Sequence, residues 1–551
     1  MRVLRALPVA LAFVAMPGAW CAQQSEVLDK IVAQEQAEIE SLRQYSPIIE
    51  TYLQIRRPDK QVGVTPGGDK YFLGHAMLAK GVELIPLAQD TRSKHNRLVG
   101  SLANFFSAEF VPRGFLQMIY VDRNGFDRDH YEFSYVRREF LGEVRCLVFD
   151  VGPRERAEKG RFVGRIWVED QDFHIVRFNG IYNGSATFSR YFSFDSWREN
   201  GGKNQWLPAV IFCEEGNVDY PVTKKQMVPA FRAQTRLWGY ALTRVSKEQE
   251  LSRVLVEAPV GDQTKNASDY SPLQAERTWA RQAEDNVIES LEGLGLMAPT
   301  GEVEKILGGV VNNLQISNGL DTQAEIRCRV LLTSTFESYA MGQTIVLSRG
   351  LLDVLPDEAS LAAILSHELA HVVLGHRMDT QFAFFDRLRF DERDTFRHFA
   401  FSRSPEEELA ANQKGSELLM RSSYKNQLST AQSFLQDLRR RSKEIPNLIS
   451  PHLGDSILTN WTIPTDAISA QASTGTAANG ATAASVVALP LGGRIKLEPF
   501  DGQLRLLKFQ AAAPGEYEKM PFEVTPVVLY LTRQDGARTQ KVAEHPTRSD
   551  P

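Results

Sequence analysis

The chain has 551 residues, too long for one ordinary domain, and its 43% hydrophobic and 24% charged residues are the composition of a protein with sizeable buried cores. A formal net charge of −5 and the lack of a basic stripe argue against nucleic acid as a partner.

Arg2 and Arg5 precede an apolar run from Ala6 to Met16, and small residues lead on to Cys21 and Ala22. This charged, apolar, small order predicts a secretory signal peptide over residues 1–22. The run is too short for a membrane anchor, and no later stretch is apolar for long enough to cross a bilayer as a helix. Lipid attachment at Cys21 is the poorer reading, because Trp20 stands where a small residue is expected. The expected location is periplasmic or secreted. An oxidising compartment would allow one disulfide among Cys146, Cys213 and Cys328. Cys146 and Cys213 lie in strand-like runs of one region and are the better-placed pair, with three separately buried thiols an equal alternative.

Glu26 to about residue 58 reads as a polar helix, clearest through Glu50. A β-rich region follows, with strands expected at Leu116–Val121, Val144–Phe149, Gly164–Val168, Phe173–Phe178 and Trp206–Phe212. Alternation in Arg161–Glu169 indicates an antiparallel sheet with a buried face, and Val168 to Phe173 is short enough for a hairpin. Helical patterning runs from Ala275 to Ile445, just before Pro446. Ala467–Ala488 is built of Ala, Ser, Thr and Gly without charge and reads as a flexible linker. Strands return at Arg494–Leu497, Leu504–Leu507 and Val524–Leu531. The expected domains are residues 23–272 (β-rich), 273–462 (mainly helical), a linker over 463–490 and a small β-rich segment over 491–551. The fold class is α+β and multidomain.

The segment Asp357–His376 carries the chemistry. Pro356-Asp357 starts a helix, with Asp357 as cap. Residues four apart share a helix face, so His367 and His371 can aim ring nitrogens at one zinc ion. Glu368, about 100° around the helix from His367, can reach a water on that metal without ligating it, as a general base does. His376 is about 180° around from His367 by the same period and is expected to face away, in a supporting or structural role. A third ligand is sought in Ser402–Gly415, where Pro405 opens a helix with Glu406, Glu407 and Glu408 in its first turn.

His-Glu-x-x-His followed by Glu408-Leu-Ala-Ala-Asn412-Gln-Lys-Gly415 resembles peptidase family M48, which includes HtpX, the CAAX prenyl proteases and periplasmic BepA-like members. The resemblance spans roughly residues 280–460. It implies a zincin-like metalloprotease domain with one zinc per chain, held by His367, His371 and Glu408. Asn412 stands where the family pattern has aspartate, which implies weaker metal binding or altered activity, or a tolerant position. Thr344–Leu352 resembles the family's strand and Gly-Leu-Leu turn, and Thr344–Ser348 is expected to be an edge strand for extended substrates. Before it, Glu337-Ser-Tyr-Ala-Met-Gly-Gln343 replaces the family's Asn-Ala-Phe-x-x-Pro-Gly-Gly. His452, in Pro451-His452, loosely resembles a His-Pro segment whose histidine can approach and block the zinc; a surface histidine is the alternative. The implied activity is a zinc endopeptidase acting on proteins or peptides such as misfolded envelope proteins. The alternative is a weak or inactive zinc-bound chaperone or binding scaffold.

Phe382, Phe384, Phe385, Phe390, Phe396, Phe399 and Phe401 lie among charges, either as core beneath the site or as a lid or substrate groove. Gly164–Gly180 looks like part of the outer-membrane lipoprotein-sorting proteins, whose curved sheet binds acyl chains. Lipid or peripheral membrane contact is what that second resemblance implies; a plain β-domain that positions the protease is the alternative.

Overall fold

The computed structural model describes residues 17–59, 63–79, 82–89, 112–154, 160–183, 191–202, 205–216, 231–242, 271–320, 325–377, 396, 399, 401, 403–449, 453 and 493–507. The signal-peptide segment before Pro17, the linker, the Val524–Leu531 strand, His452 and Phe382–Phe390 lie outside them.

The first half forms one antiparallel sheet. Its strands are β1 (Ile48–Asp59), β2 (Gly63–Met77), β3 (Glu83–Gln89), β4 (Tyr131–Leu141), β5 (Val144–Pro153), β6 (Phe162–Glu169), β7 (Ile175–Tyr182), β8 (Tyr191–Asn200), β9 (Trp206–Gly216) and β10 (Phe231–Trp238). Their spatial order is β3-β2-β1-β10-β9-β8-β7-β6-β5-β4. Short hairpins build β4 to β9, and the β1–β10 pairing, Ile48 opposite Trp238, joins this run to β1–β3. One face packs under helix α1 (Pro17–Leu42), whose Leu28, Ile31, Ile39 and Leu42 belong to the same core as Phe162, Phe178 and Phe194.

The expected helix over residues 26–58 is corrected: α1 ends at Leu42, and β1 begins at Ile48 after Pro47. The cause is a strand buried on both sides. Ile48 and Tyr52 enter one core, and Ile49 and Leu53 enter the other. Apolar residues at 48, 49, 52 and 53 mimic a helical period. Leu116–Val121 is likewise not a strand. Helix α2 (Pro112–Gln117) gives way to turns, and the run Met118-Ile-Tyr-Val121 fills the space beneath the sheet. The Cys146–Cys213 pairing is also overturned. Both are buried, as is Cys328, and they are not joined to each other. Cys146 and Cys213 sit in different cores, on β5 and β9, four strand spacings apart, roughly 19 Å at about 4.8 Å each.

The second half is mainly helical. It contains α3 (Pro272–Gly293), α4 (Glu302–Asn318), β11 (Arg327–Leu331), β12 (Ser338–Met341), β13 (Thr344–Ser348), α5 (Arg349–Val354), α6 (Glu358–Leu374), α7 (Pro405–Met420), α8 (Leu428–Arg441) and α9 (Pro446–Ile449). The small sheet has the order β11-β13-β12. Thr344–Ser348 is therefore central, buried along its whole length, and β12 is the edge. The hairpin β14 (Ile495–Leu497) and β15 (Leu504–Leu506) places Ile495, Leu497 and Leu504 in the same core as these helices.

Buried polar contacts tie the halves together. Glu50 of β1 accepts from the Ser334 N–H (2.5 Å), the Ser334 hydroxyl (2.6 Å) and the Tyr71 hydroxyl (2.9 Å). Arg349 of α5, fully buried, donates to Glu50 (3.4 Å), Asp353 (3.3 Å), Ser334 Oγ (2.7 Å) and the Leu332 carbonyl (3.1 Å). Asp353 in turn accepts the Ile495 N–H (3.0 Å) of the last hairpin. Asp69 of β2 accepts the N–H groups of Asn447 and Leu448, both at 2.9 Å, and so caps α9 from the other half of the molecule. Glu50→Ala is expected to cost about 3–5 kcal/mol in urea unfolding, because it removes one of the two carboxylates paired with the buried Arg349 and leaves Ser334 without its acceptor. Tyr71→Phe should cost only about 1 kcal/mol.

Under α1, Arg198 makes a two-pronged pair with Glu35 (2.6 and 2.7 Å). Burial next to it pushes the Glu38 carboxyl from 4.5 up to about 7, against the pull of Arg198. Between these values the folded chain holds a proton that the unfolded chain has lost, so this group's contribution to stability falls as pH rises through the window. Glu38→Gln should therefore raise the melting temperature at pH 8 and leave it nearly unchanged at pH 4.

Candidate metal centre

Helix α6 starts where Asp357 accepts the Ser360 N–H (2.8 Å) and stops at Gly375, whose left-handed φ of 70° suits glycine. Ala359, Ala362, Ala363, Leu365, Leu369 and Ala370 are all buried, so the helix is packed on most sides and its histidines have little freedom. Helix α7 begins with a reciprocal cap between Ser404 and Glu407 and with Pro405 at its first turn. This places Glu408 at the helix start. Gly415 then lets α7 press against α6: a Cβ there would lie 3.0 Å from His367 Cα and 3.0 Å from the Ser366 carbonyl oxygen.

The two helices bring His367, His371 and Glu408 together, all buried. The two Nε2 atoms are 3.2 Å apart, and each lies 3.5 Å from a Glu408 carboxylate oxygen. Ligand atoms about 2.0–2.1 Å from a tetrahedral zinc are separated by about 3.3–3.4 Å, so this triangle fits that ion. Burial, reinforced by the charges of Arg403 and the neighbouring histidines, holds His371 neutral, its pKa down at about 2. Two imidazole nitrogens and a carboxylate are donors suited to zinc.

Glu368 is buried beside the trio, and burial raises its pKa. The Ser338 hydroxyl of β12 donates to its carboxylate. His376 does not face away. Helix α6 ends before it, and the turn at Gly375 returns its Nδ1 to 3.0 Å from His371 Nδ1. With His371 Nε2 on the metal side, its Nδ1–H donates to His376, which fixes the ring. Asn412 lies one turn beyond Glu408, nearly buried. Phe396, Phe399 and Phe401 are core residues. Sequence reasoning missed Ser338, although it sits in the stretch noted as replacing the family's Asn-Ala-Phe. It also missed Arg403, whose guanidinium donates to the Ala340 carbonyl; the signal there was only its place just ahead of the Ser404 cap.

A His-x-x-x-His helix closed by a glutamate from a second helix defines a metallopeptidase type of site. Residues 310–452 match the model of Peptidase family M48, and this segment is a domain of that family. No curated protein matches the chain in sequence. Among solved structures, the chain is similar to a LolA superfamily protein from Nitrosomonas europaea, with 11% identity, 41% of this chain and 95% of that one covered, and a TM-score of 0.20. A DUF1329 family protein from Desulfovibrio piger follows, with 11% identity, 38% and 90% coverage and a TM-score of 0.17. An outer membrane lipoprotein-sorting protein domain from Vibrio parahaemolyticus has 10% identity, 38% and 89% coverage and a TM-score of 0.18. These scores are slight, and they do not define what the large sheet does.

Gly415→Ala should push α7 from α6 and lower zinc affinity about tenfold with every ligand in place, the scale on which supporting contacts act. Competition against a chromophoric chelator measures it, with circular dichroism reporting unchanged helix content.

Proposed function

We propose that the chain is a zinc-dependent endopeptidase, periplasmic or secreted, that hydrolyses proteins such as misfolded envelope proteins. The observation that carries this reading is the closed His367–His371–Glu408 triangle with Glu368 beside it. The location is supported by the leader pattern of residues 1–22, and no helix among the described residues is long and apolar enough to cross a membrane.

His367, His371 and Glu408 would hold a zinc ion, which would supply a Lewis acid for the peptide carbonyl and for the attacking water. Glu368 takes the proton from the attacking water and returns it to the leaving amine. The Ser338 hydroxyl holds the carboxylate in place. The open side of β12 offers an extended substrate backbone groups to pair with.

Asn412 favours a second reading, in which the missing negative charge leaves a weakly active or inactive zinc-bound scaffold. Two variants separate the readings. Glu368→Gln should keep about one zinc per chain while hydrolysis of an envelope protein falls by about 100-fold or more. His371→Ala should lose both metal and activity. Wild-type rates in Glu368→Gln would sink the catalytic assignment, and absence of cleavage in the zinc-loaded wild type would favour the scaffold.

A further inference from the structure

Gly152 is a glycine that its own strand does not require. It lies inside β5, opposite Glu132 of β4, and the ladder runs on past it, with the Arg154 N–H on the His130 carbonyl at 2.9 Å. Its φ is not left-handed. A Cβ there would meet nothing within 4 Å. Gly164 and Gly180, on the next two strands, are different: a Cβ on either would strike the Phe162 ring and the neighbouring backbone. A glycine inside a strand weakens it. Where neither a bulge nor packing accounts for one, it marks a place that another molecule approaches closely.

That place is a groove of about 650 Å³ across β4 to β7, on the face turned away from α1. The volume is that of a small-molecule site. Its polar lining is one row across four strands: Ser134, Asp150, Arg165 and Asn179 are successive partners in the register. Three strand spacings separate the ends of the row, roughly 14 Å at about 4.8 Å each. Ser134 and Asp150 are exposed, so the row is open to solvent. Among the described residues, neither the Ser134 hydroxyl nor the Asn179 amide has a protein partner. Arg165 donates to Asp150 through Nε at 2.7 Å and Nη2 at 3.1 Å, which leaves guanidinium donors and carboxylate lone pairs over. These hydrogen bonds hold the Asp150 carboxyl below its usual range, so it stays an acceptor. Val163 and Trp167 supply an apolar side.

The charges around the groove cancel. Asp150 is matched by Arg165, Glu132 by Arg154 at 3.6 Å, and Arg137 by Glu139 just beyond. A balanced set gives an ion no net attraction. What the row does offer is donors and acceptors in alternation: hydroxyl, carboxylate, guanidinium, amide. A sugar hydroxyl both donates and accepts, and a planar group with two polar atoms can span two neighbouring hydroxyls. The C–H faces of a sugar ring suit the apolar side. We propose that this face of the large sheet binds a neutral saccharide, seated over Gly152 and held by Ser134, Asp150, Arg165 and Asn179. The site shares no residue with the metal centre, and the proposal goes beyond the peptidase reading.

The test titrates the full chain with soluble tetramers of glucose and of N-acetylglucosamine by calorimetry, and pellets it with insoluble cellulose and chitin. The two arms separate a free sugar from a polymeric glycan as the natural source. At least one saccharide should bind saturably, and added salt should not weaken it, because no ion pair forms. Gly152→Trp fills the groove from a position with open space above it and should remove binding without lowering the melting temperature. Asn179→Ala deletes one partner and should weaken binding about three- to tenfold. It carries the test if Gly152→Trp proves unstable. The proposal is overturned if no saccharide binds in either arm, or if binding survives both substitutions. It is equally overturned if the groove takes only an ionic probe such as spermidine or heparin, in a salt-sensitive way that Gly152→Trp abolishes.

Discussion

Arg349 has no access to water, so its guanidinium must find every partner inside the protein. They come from across the chain: Glu50 from the first strand, Ser334 and the Leu332 carbonyl from the loop after β11, and Asp353 one turn further along α5. Asp353 then fixes the start of the last hairpin. The large sheet, the metallopeptidase core and the C-terminal strands are therefore registered against one another by one charge.

The same region fixes the backbone that leads to helix α6. Gly350, next to Arg349, packs so tightly that a Cβ would fall 1.9 Å from the Ser334 carbonyl oxygen. This contact anchors the turn that leads from β13 through α5 to α6. On the far side, Gly415 lets α7 approach the backbone of α6 at His367. The spacing of α6 and α7 at the donor cluster is thus set by the close approach at Gly415, and the Gly350 contact holds the chain that leads into α6.

Much of the site was legible in the sequence because its determinants are local. A cap, a run of helix formers and a four-residue spacing place His367 and His371, and the motif around Gly415 supplied Glu408. Strands β5, β6, β7 and β9 and the β6–β7 hairpin were legible for the same reason, since each answers mainly to its sequence neighbours, while β8 was not read. What failed depended on distant partners. Ile48–Leu53 was taken for helix because both faces of β1 are buried, which erases alternation. Thr344–Ser348 reads as an apolar strand in any position, and only the pairing with both β11 and β12 makes it central. His376 was misplaced by extending a helical period past the glycine that ends it. The cysteines were paired by proximity in sequence type, whereas the sheet order separates them by three strands.

The two-sided burial of β1 also bears on how the chain assembles. One edge of this strand waits for β10, which pairs with it across nearly the whole first half of the molecule, and one face waits for the helices of the second half. Those helices are not sealed until Ile495 and Leu497 arrive. A chain folding from its N-terminus must carry an unfinished apolar surface through most of its synthesis, a slow and aggregation-exposed route. Helices α6 and α7 lie inside this core, so the His367–His371–Glu408 cluster is among the last features the fold completes.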